Sequence, residues 1–115
     1  MKLIIAGSRS VLNIAILIAA LNTIPFWNVK TVLCGTATGV DTLGKIWALR
    51  SRIPVEYYPA DWDTYGKSAG YKRNVTMAEN ADALLAIWDG KSKGTKHMID
   101  IANERGLSVY VYKLE

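Results

Sequence analysis

Short apolar runs alternate along this chain with longer stretches whose apolar residues recur at helical spacing. Lys2–Ala6, Thr31–Cys34, Val55–Tyr58, Ala83–Trp88 and Ser108–Tyr112 are brief, β-branched or aromatic, and bounded by Gly, Pro or Asp, which predicts strands. Between them, Val11–Asn22, Val40–Arg52, Gly70–Asn80 and Thr95–Arg105 predict helices. Ser10 is placed to cap the first helix, Asp41 falls in the first turn of the second, and Gly106 suits the left-handed residue that ends the fourth. The resulting order, β-α-β-α-β-α-β-α-β, predicts a five-stranded, mainly parallel sheet with helices on both faces, a doubly wound α/β fold.

In such a fold ligands bind at the carboxyl ends of the strands, near the point where strand order reverses. The loops that follow strands are "GSRS" (7–10), "GTATGVD" (35–41), "PADWDTYGKSAGYKRN" (59–74) and "DGKSKGT" (89–95), and they hold most of the polar chemistry. Loops that lead into strands, such as "SRIP" and "ERGLS", are short and bland. The first helix has almost no polar face, and a helix apolar all round is buried on more than one side. A homodimer interface through 11–21 is the expectation, against unusually deep burial under neighbouring segments.

Composition narrows the class. At 115 residues the chain suits one domain, and with half its residues hydrophobic it can fold around its own core. A single cysteine, Cys34, excludes an intramolecular disulfide, and no Cys/His spacing suggests a metal site, so a reducing, cytoplasmic setting is expected. The N-terminus lacks the apolar length of a signal peptide, and the apolar stretch 11–21 is about half a membrane span. A formal charge of +4 tolerates anionic partners without naming one.

Each strand-end loop has a chemistry. Gly7, Ser8, Arg9 and Ser10 join a strand to a helix, where free N–H groups and a guanidinium attract phosphate, although a plain capped turn has the same form. In "CGTATGVDTLG", Gly35 and Gly39 let backbone approach a ligand closely beside Thr36, and Asp41 accepts either from ribose hydroxyls or from its own helix start. The third loop interleaves Trp62, Tyr65 and Tyr71 with Lys67, Lys72 and Arg73, as nucleotide and single-strand sites do, and as a satellite apolar cluster with solvated lysines also would. In the fourth, Gly90 and Gly94 bracket Lys91, Ser92 and Lys93, and Thr95 opens a helix with Lys96 and His97 in its first turn. A first-turn cation opposes the helix dipole unless an anion sits there, so this loop reads as an anion cradle. No acid/base pair is apparent, and His97 and Cys34 read as structural residues.

Taken together, "IIAGSRS" and "CGTATGVDTLG" resemble the G-S-R and S-G-x-A-x-G-[IV]-D motifs of DprA/Smf proteins, and "KGTKHMIDIA" resembles their later G-T-x-x-x-x-x-A helix start. "RNVTMAENADALLAIWDGKSKGT" is similar to the R-K-x-x-M…A-D-A…P-G-G-x-G-T region of Lonely Guy (LOG) phosphoribohydrolases. Both belong to the SLOG superfamily of Rossmann-like nucleotide-binding domains. The pattern G-S-R, G-x-G-x-D, P-A-D-W-x-x-Y-G-K-x-A-G and W-D-G-x-S-x-G-T most resembles its small single-domain YspA/YpsA-related members, over essentially the whole chain.

That resemblance implies a pocket for a nucleotide or nucleotide-derived ligand. Phosphate and ribose would fall to Gly7, Ser8, Arg9, Ser10, Gly35, Thr36, Gly39, Asp41, Arg73, Asn74, Gly90, Lys91, Ser92, Gly94, Thr95 and Lys96, and the base to Trp62, Tyr65 and Tyr71. Met98 stands where the Lonely Guy enzymes carry their catalytic Glu, and Asp89-Gly90-Lys91 replaces P-G-G, which favours binding over hydrolysis. The expectation is a sensor or sequestering protein of the kind the superfamily supplies to phage-defence signalling. Its alternatives are a nucleotide phosphoribohydrolase using Arg73 with Asp89 or Asp100, and DprA-like single-stranded DNA binding.

Overall fold

A computed structural model describes residues 1–25 and 28–114. Strands β1 (Lys2–Gly7), β2 (Thr31–Cys34), β3 (Val55–Tyr57), β4 (Ala83–Trp88) and β5 (Ser108–Lys113) form one sheet in the order β3-β2-β1-β4-β5. Every pairing is parallel, with Ile4 opposite Leu33 on one side and opposite Leu84 on the other. Helices α1 (Ile14–Leu21), α2 (Val40–Arg50), α3 (Trp62–Tyr65), α4 (Ala69–Glu79) and α5 (Lys93–Glu104) make the crossovers, with one 3₁₀ turn at Gly66–Ser68. The sheet is thus wholly parallel, as a doubly wound fold requires.

The central strands are apolar on both sides because both sides are covered. Leu3 and Ile5 of β1 and Leu85 and Ile87 of β4 pack with Leu17 and Ala20 of α1 and Val40, Leu43 and Ala48 of α2. Their neighbours Ile4, Ala6, Leu84 and Ala86 turn the other way, onto Met77 and Ala78 of α4 and Met98 and Ala102 of α5. Each such fully buried Leu or Ile contributes about 2 kcal/mol. Strand order reverses between β1 and β4, so the loops that leave those two strands part company and open a cleft.

Two helix starts differ from the sequence expectation. Ser10 does not cap α1: Val11 is buried and gives its N–H to the Ser8 carbonyl, so the chain turns before the helix begins. Asn13 caps instead, its side chain accepting from Ala15 N–H at 2.9 Å. Helix α5 begins at Lys93, ahead of Thr95, because the Ser92 hydroxyl takes the capping role and accepts from Thr95 N–H. Helix α1 is not buried all round. Leu17 and Ala20 face the sheet, whereas Leu12 is 78% and Ile18 40% exposed, with Ala15 and Ala19 open beside them. No helix among the described residues is long and apolar enough to cross a membrane.

Candidate functional site

A cleft of about 530 Å³ lies at the parting of β1 and β4. Gly7, Ser8, Arg9 and Ser10 enter it from the end of β1, and Asp89, Ser92, Gly94 and Thr95 from the end of β4 and the start of α5. Ala37 comes from the loop before α2 and Asp41 from its first turn, while Trp62 and Lys67 come from the segment between β3 and α4, and Tyr71, Arg73 and Asn74 from α4 itself. All four polar strand-end loops meet there.

One corner of the cleft is interlocked. Arg73 Nη1 donates to the carbonyl oxygens of Gly35 and Tyr58, and its Nε donates to Asn74 Oδ1. The Asn74 amide in turn donates to Gly94 O and to His97 Nδ1, each at 3.2 Å, which requires an unprotonated Nδ1 on His97. Burial pushes the His97 pKa down, against the opposing pull of Asp100 and Glu104, and so keeps the ring in the accepting form. Tyr71 packs edge-on against the same ring at 4.6 Å. Asp41 is buried and accepts from Ala37 N–H at 3.1 Å. Burial raises its pKa, while that N–H and the charge of Arg73 pull it back down. Burial likewise makes Arg73 less basic, and the nearby Arg9 adds to that, against Asp41.

Gly35 makes this corner feasible. A Cβ there would lie 2.6 Å from Arg73 Nη1 and 2.8 Å from Asp41 Oδ2, so only glycine lets the pair close on the loop. Gly39 is required for a different reason. Its φ of 73° is left-handed, and its α carbon lies against the backbone of Ser8 and Arg9. The two strand-end loops are thereby held together.

The opposite corner is open. Ser8 is 2% exposed, and its hydroxyl is buried without a hydrogen bond among the described residues. Asp89 Oδ1 accepts from Ser92 N–H and Lys91 N–H, both at 2.8 Å, and these bonds hold its carboxyl below the usual range, with the nearby Ser8 hydroxyl a smaller influence. The carboxylate is therefore ionised at neutral pH. Ser92 and Thr95 pair their hydroxyls at 3.1 Å across the first turn of α5. Trp62 and Tyr71 stand over the cleft about half exposed, and Gly70 leaves room for the Trp62 ring.

The structure brings together most, but not all, of the residues singled out in the sequence. Gly35 and Thr36 line an adjoining hollow, and Gly90 turns toward Lys113. Lys91 is exposed outside the cleft walls, and Lys96 reaches away to Asp100 at 2.7 Å. Tyr65 also lies outside, with Lys72 over its ring. The loop after β4 thus gives the cleft hydroxyls and the one carboxylate of Asp89, where lysines were expected. Asp89, Lys67, Met77 and Met98 were not among the expected ligand contacts but line the cleft, and His97 supports it through Asn74. Asp89 had a usable signal as an acid directly after a strand, and Lys67 as a base set among the rings of the third loop. Among the described residues no group of three or more His, Cys, Asp or Glu side chains is placed to hold a metal ion.

A parallel doubly wound sheet with a polar cleft at its switch point defines a Rossmann-like α/β domain. Residues 1–65 match the YspA, cpYpsA-related SLOG family (YAcAr), and the chain belongs to that family. It is also 37% identical over 84 residues to Gene 61 protein of Mycobacterium phage D29, covering 68% of this chain and 67% of that protein. No solved structure matches it.

Proposed function

We propose that the cleft binds a nucleotide or nucleotide-derived ligand, and that the protein acts as a sensor or sequestering protein. The observation that carries this reading is Ser8, a buried hydroxyl in the cleft wall whose weak interaction with the Asp89 carboxylate falls short of hydrogen-bond geometry, leaving it without a full partner among the described residues. An unmet buried hydroxyl costs about 1–3 kcal/mol, and a ligand oxygen would meet it. Phosphate belongs on the side of Ser8, Arg9 and Ser10, near the N–H groups of the first turn of α5. The ionised Asp89 repels phosphate but accepts well from ribose hydroxyls, and the buried Asp41 and Asn74 line the same cleft at its other corner. Trp62 and Tyr71 offer faces for a base. Met98 supports binding over hydrolysis, since it presents a thioether to the cleft, which cannot transfer a proton.

Mass spectrometry of whatever the purified protein releases on denaturation tests the reading, together with incubation with nucleoside monophosphates. An intact nucleotide in the released fraction supports it. Free base or ribose phosphate, formed by the wild type and lost in Asp89→Asn, would replace it with a phosphoribohydrolase. Affinity for single-stranded DNA that falls steeply with salt would replace it with strand binding. The reading extends to a homodimer through the exposed strip Leu12, Ala15, Ile18 and Ala19, since no charge occurs between Arg9 and Lys30 to oppose self-association. Sedimentation equilibrium should find a dimer that Ile18→Lys dissociates, and a wild-type monomer would remove this part.

A further inference from the structure

The main cleft continues past Trp62. A second hollow of about 350 Å³ lies against it beside the ends of β2 and β3, and the two share Arg9, Ala37, Trp62 and Arg73 as a common wall. Beyond that wall the second hollow has Thr36 and Thr38 on one side and Pro59 and Ala60 on the other. Both threonines are exposed, neither hydroxyl is hydrogen-bonded among the described residues, and Thr36 holds a left-handed φ of 64°. A β-branched residue is strained in the left-handed region, so this loop keeps an unfavourable conformation next to the hollow.

Charge is distributed unevenly along the two compartments. At the shared wall Arg9 and Arg73 are close enough to oppose one another, and the buried Asp41 is near enough to both to act as a counter-charge. The ionised carboxylate of Asp89 lines the main cleft but not the second hollow. An anion entering the main cleft is therefore pushed from Asp89 and drawn to the junction. A single phosphate there leaves the second hollow unfilled. A chain of two phosphates crosses the junction and delivers whatever it carries to Thr36 and Thr38.

We infer that the ligand is a nucleoside diphosphate bearing a further, hydroxyl-rich group on its distal phosphate: the diphosphate lies across Arg9 and Arg73, and the distal group sits in the second hollow. This rests on the nucleotide reading above and narrows it to a two-headed ligand.

Calorimetric titration of the full chain with AMP, ADP and ADP-glucose, and with UMP, UDP and UDP-glucose, tests it. Within whichever base series binds, the sugar nucleotide should bind about tenfold more tightly than the plain diphosphate, the worth of one or two additional hydrogen bonds. Thr38→Trp, which fills the hollow from its exposed rim, should bring the two affinities together. Ala60→Leu narrows the hollow from its other wall and should do the same if Thr38→Trp folds poorly by circular dichroism. Equal affinity for diphosphate and sugar nucleotide in the wild type would overturn the inference while leaving the nucleotide reading intact, as would a preference that survives both variants. Failure of all six compounds to bind the folded protein would overturn the nucleotide reading itself.

Discussion

After β4, the cations Lys91, Lys93 and Lys96 are all exposed, and the last pairs only with Asp100 one helical turn away. Beside β2, by contrast, the half-buried Arg73 is bonded to two backbone carbonyls and to Asn74, and faces the buried Asp41. The first region holds more positive charge. The second holds it in place, because a guanidinium already tied through Nε and Nη1 keeps its orientation with Nη2 left to meet a ligand, whereas a solvated lysine loses several rotors to reach one. Residue type suggested a cradle of lysines, but the geometry makes Arg73 and the buried Ser8 hydroxyl the fixed elements. Density of charge in a sequence is thus a poor guide to where charge is positioned.

The contrast is most exposed to test by removing one cation from each region. Arg73→Ala should lower unfolding free energy in urea by about 2 kcal/mol, because it leaves two carbonyls and Asn74 Oδ1 without their donor and removes a positive charge near the buried Asp41. Lys91→Ala should stay within about 0.5 kcal/mol of wild type. If the two variants lose stability equally, the distinction between the regions fails.

The glycines give a second, smaller contrast. Gly35→Ala forces a methyl against Arg73 and Asp41 and should cost about 2 kcal/mol in the same assay. Gly94→Ala meets nothing within 4 Å and lies in the first turn of α5, so it should gain about 0.5 kcal/mol from helix propensity. Ser8→Ala should be smaller still, with stability unchanged or raised by about 1 kcal/mol and nucleotide affinity reduced severalfold. Loss of stability in Ser8→Ala would show that the hydroxyl already has a structural partner.

The mildest effect concerns protons. The folded-state pKa of His97 is depressed below its ordinary 6.5 by burial, so its contribution to stability is complete above that value and is lost as pH falls through the depressed one. Thermal melts at about pH 7.5 and about pH 5.5 should therefore differ less in His97→Gln than in wild type, the glutamine having no proton to gain. An equal difference in both proteins would remove His97 from the Asn74 network as a titrating member.

Much of this organisation is legible in the sequence. The alternation of short apolar runs and helical stretches carried the strand order's consequences, because a parallel sheet must bury β1 and β4 on both faces and must place its polar loops at one end. Gly7–Arg9, Asp41, Trp62, Tyr71, Arg73, Asn74 and Thr95 all enter the cleft as strand-end chemistry implies. What escaped the sequence depends on direction and on contacts between distant segments. Ser10 and Asn13 are both good caps, and only the burial of Val11 decides between them. Lys96 and Thr95 are adjacent in sequence, yet helical phase sends one to Asp100 and the other into the wall. The Asn74 to His97 bond joins α4 to α5 across 23 positions, which no local pattern announces.

Chemical-shift mapping of the ¹⁵N-labelled protein, titrated in turn with AMP and UMP, addresses the central claim most directly. A fixed cleft predicts saturable shifts centred on the amides of Ser8, Arg9, Asn74 and Thr95, with Lys91 and Lys96 nearly still. Shifts centred instead on Lys91 to Lys96, fading as salt is added, would contradict it and return the exposed lysines to the role the sequence first suggested for them.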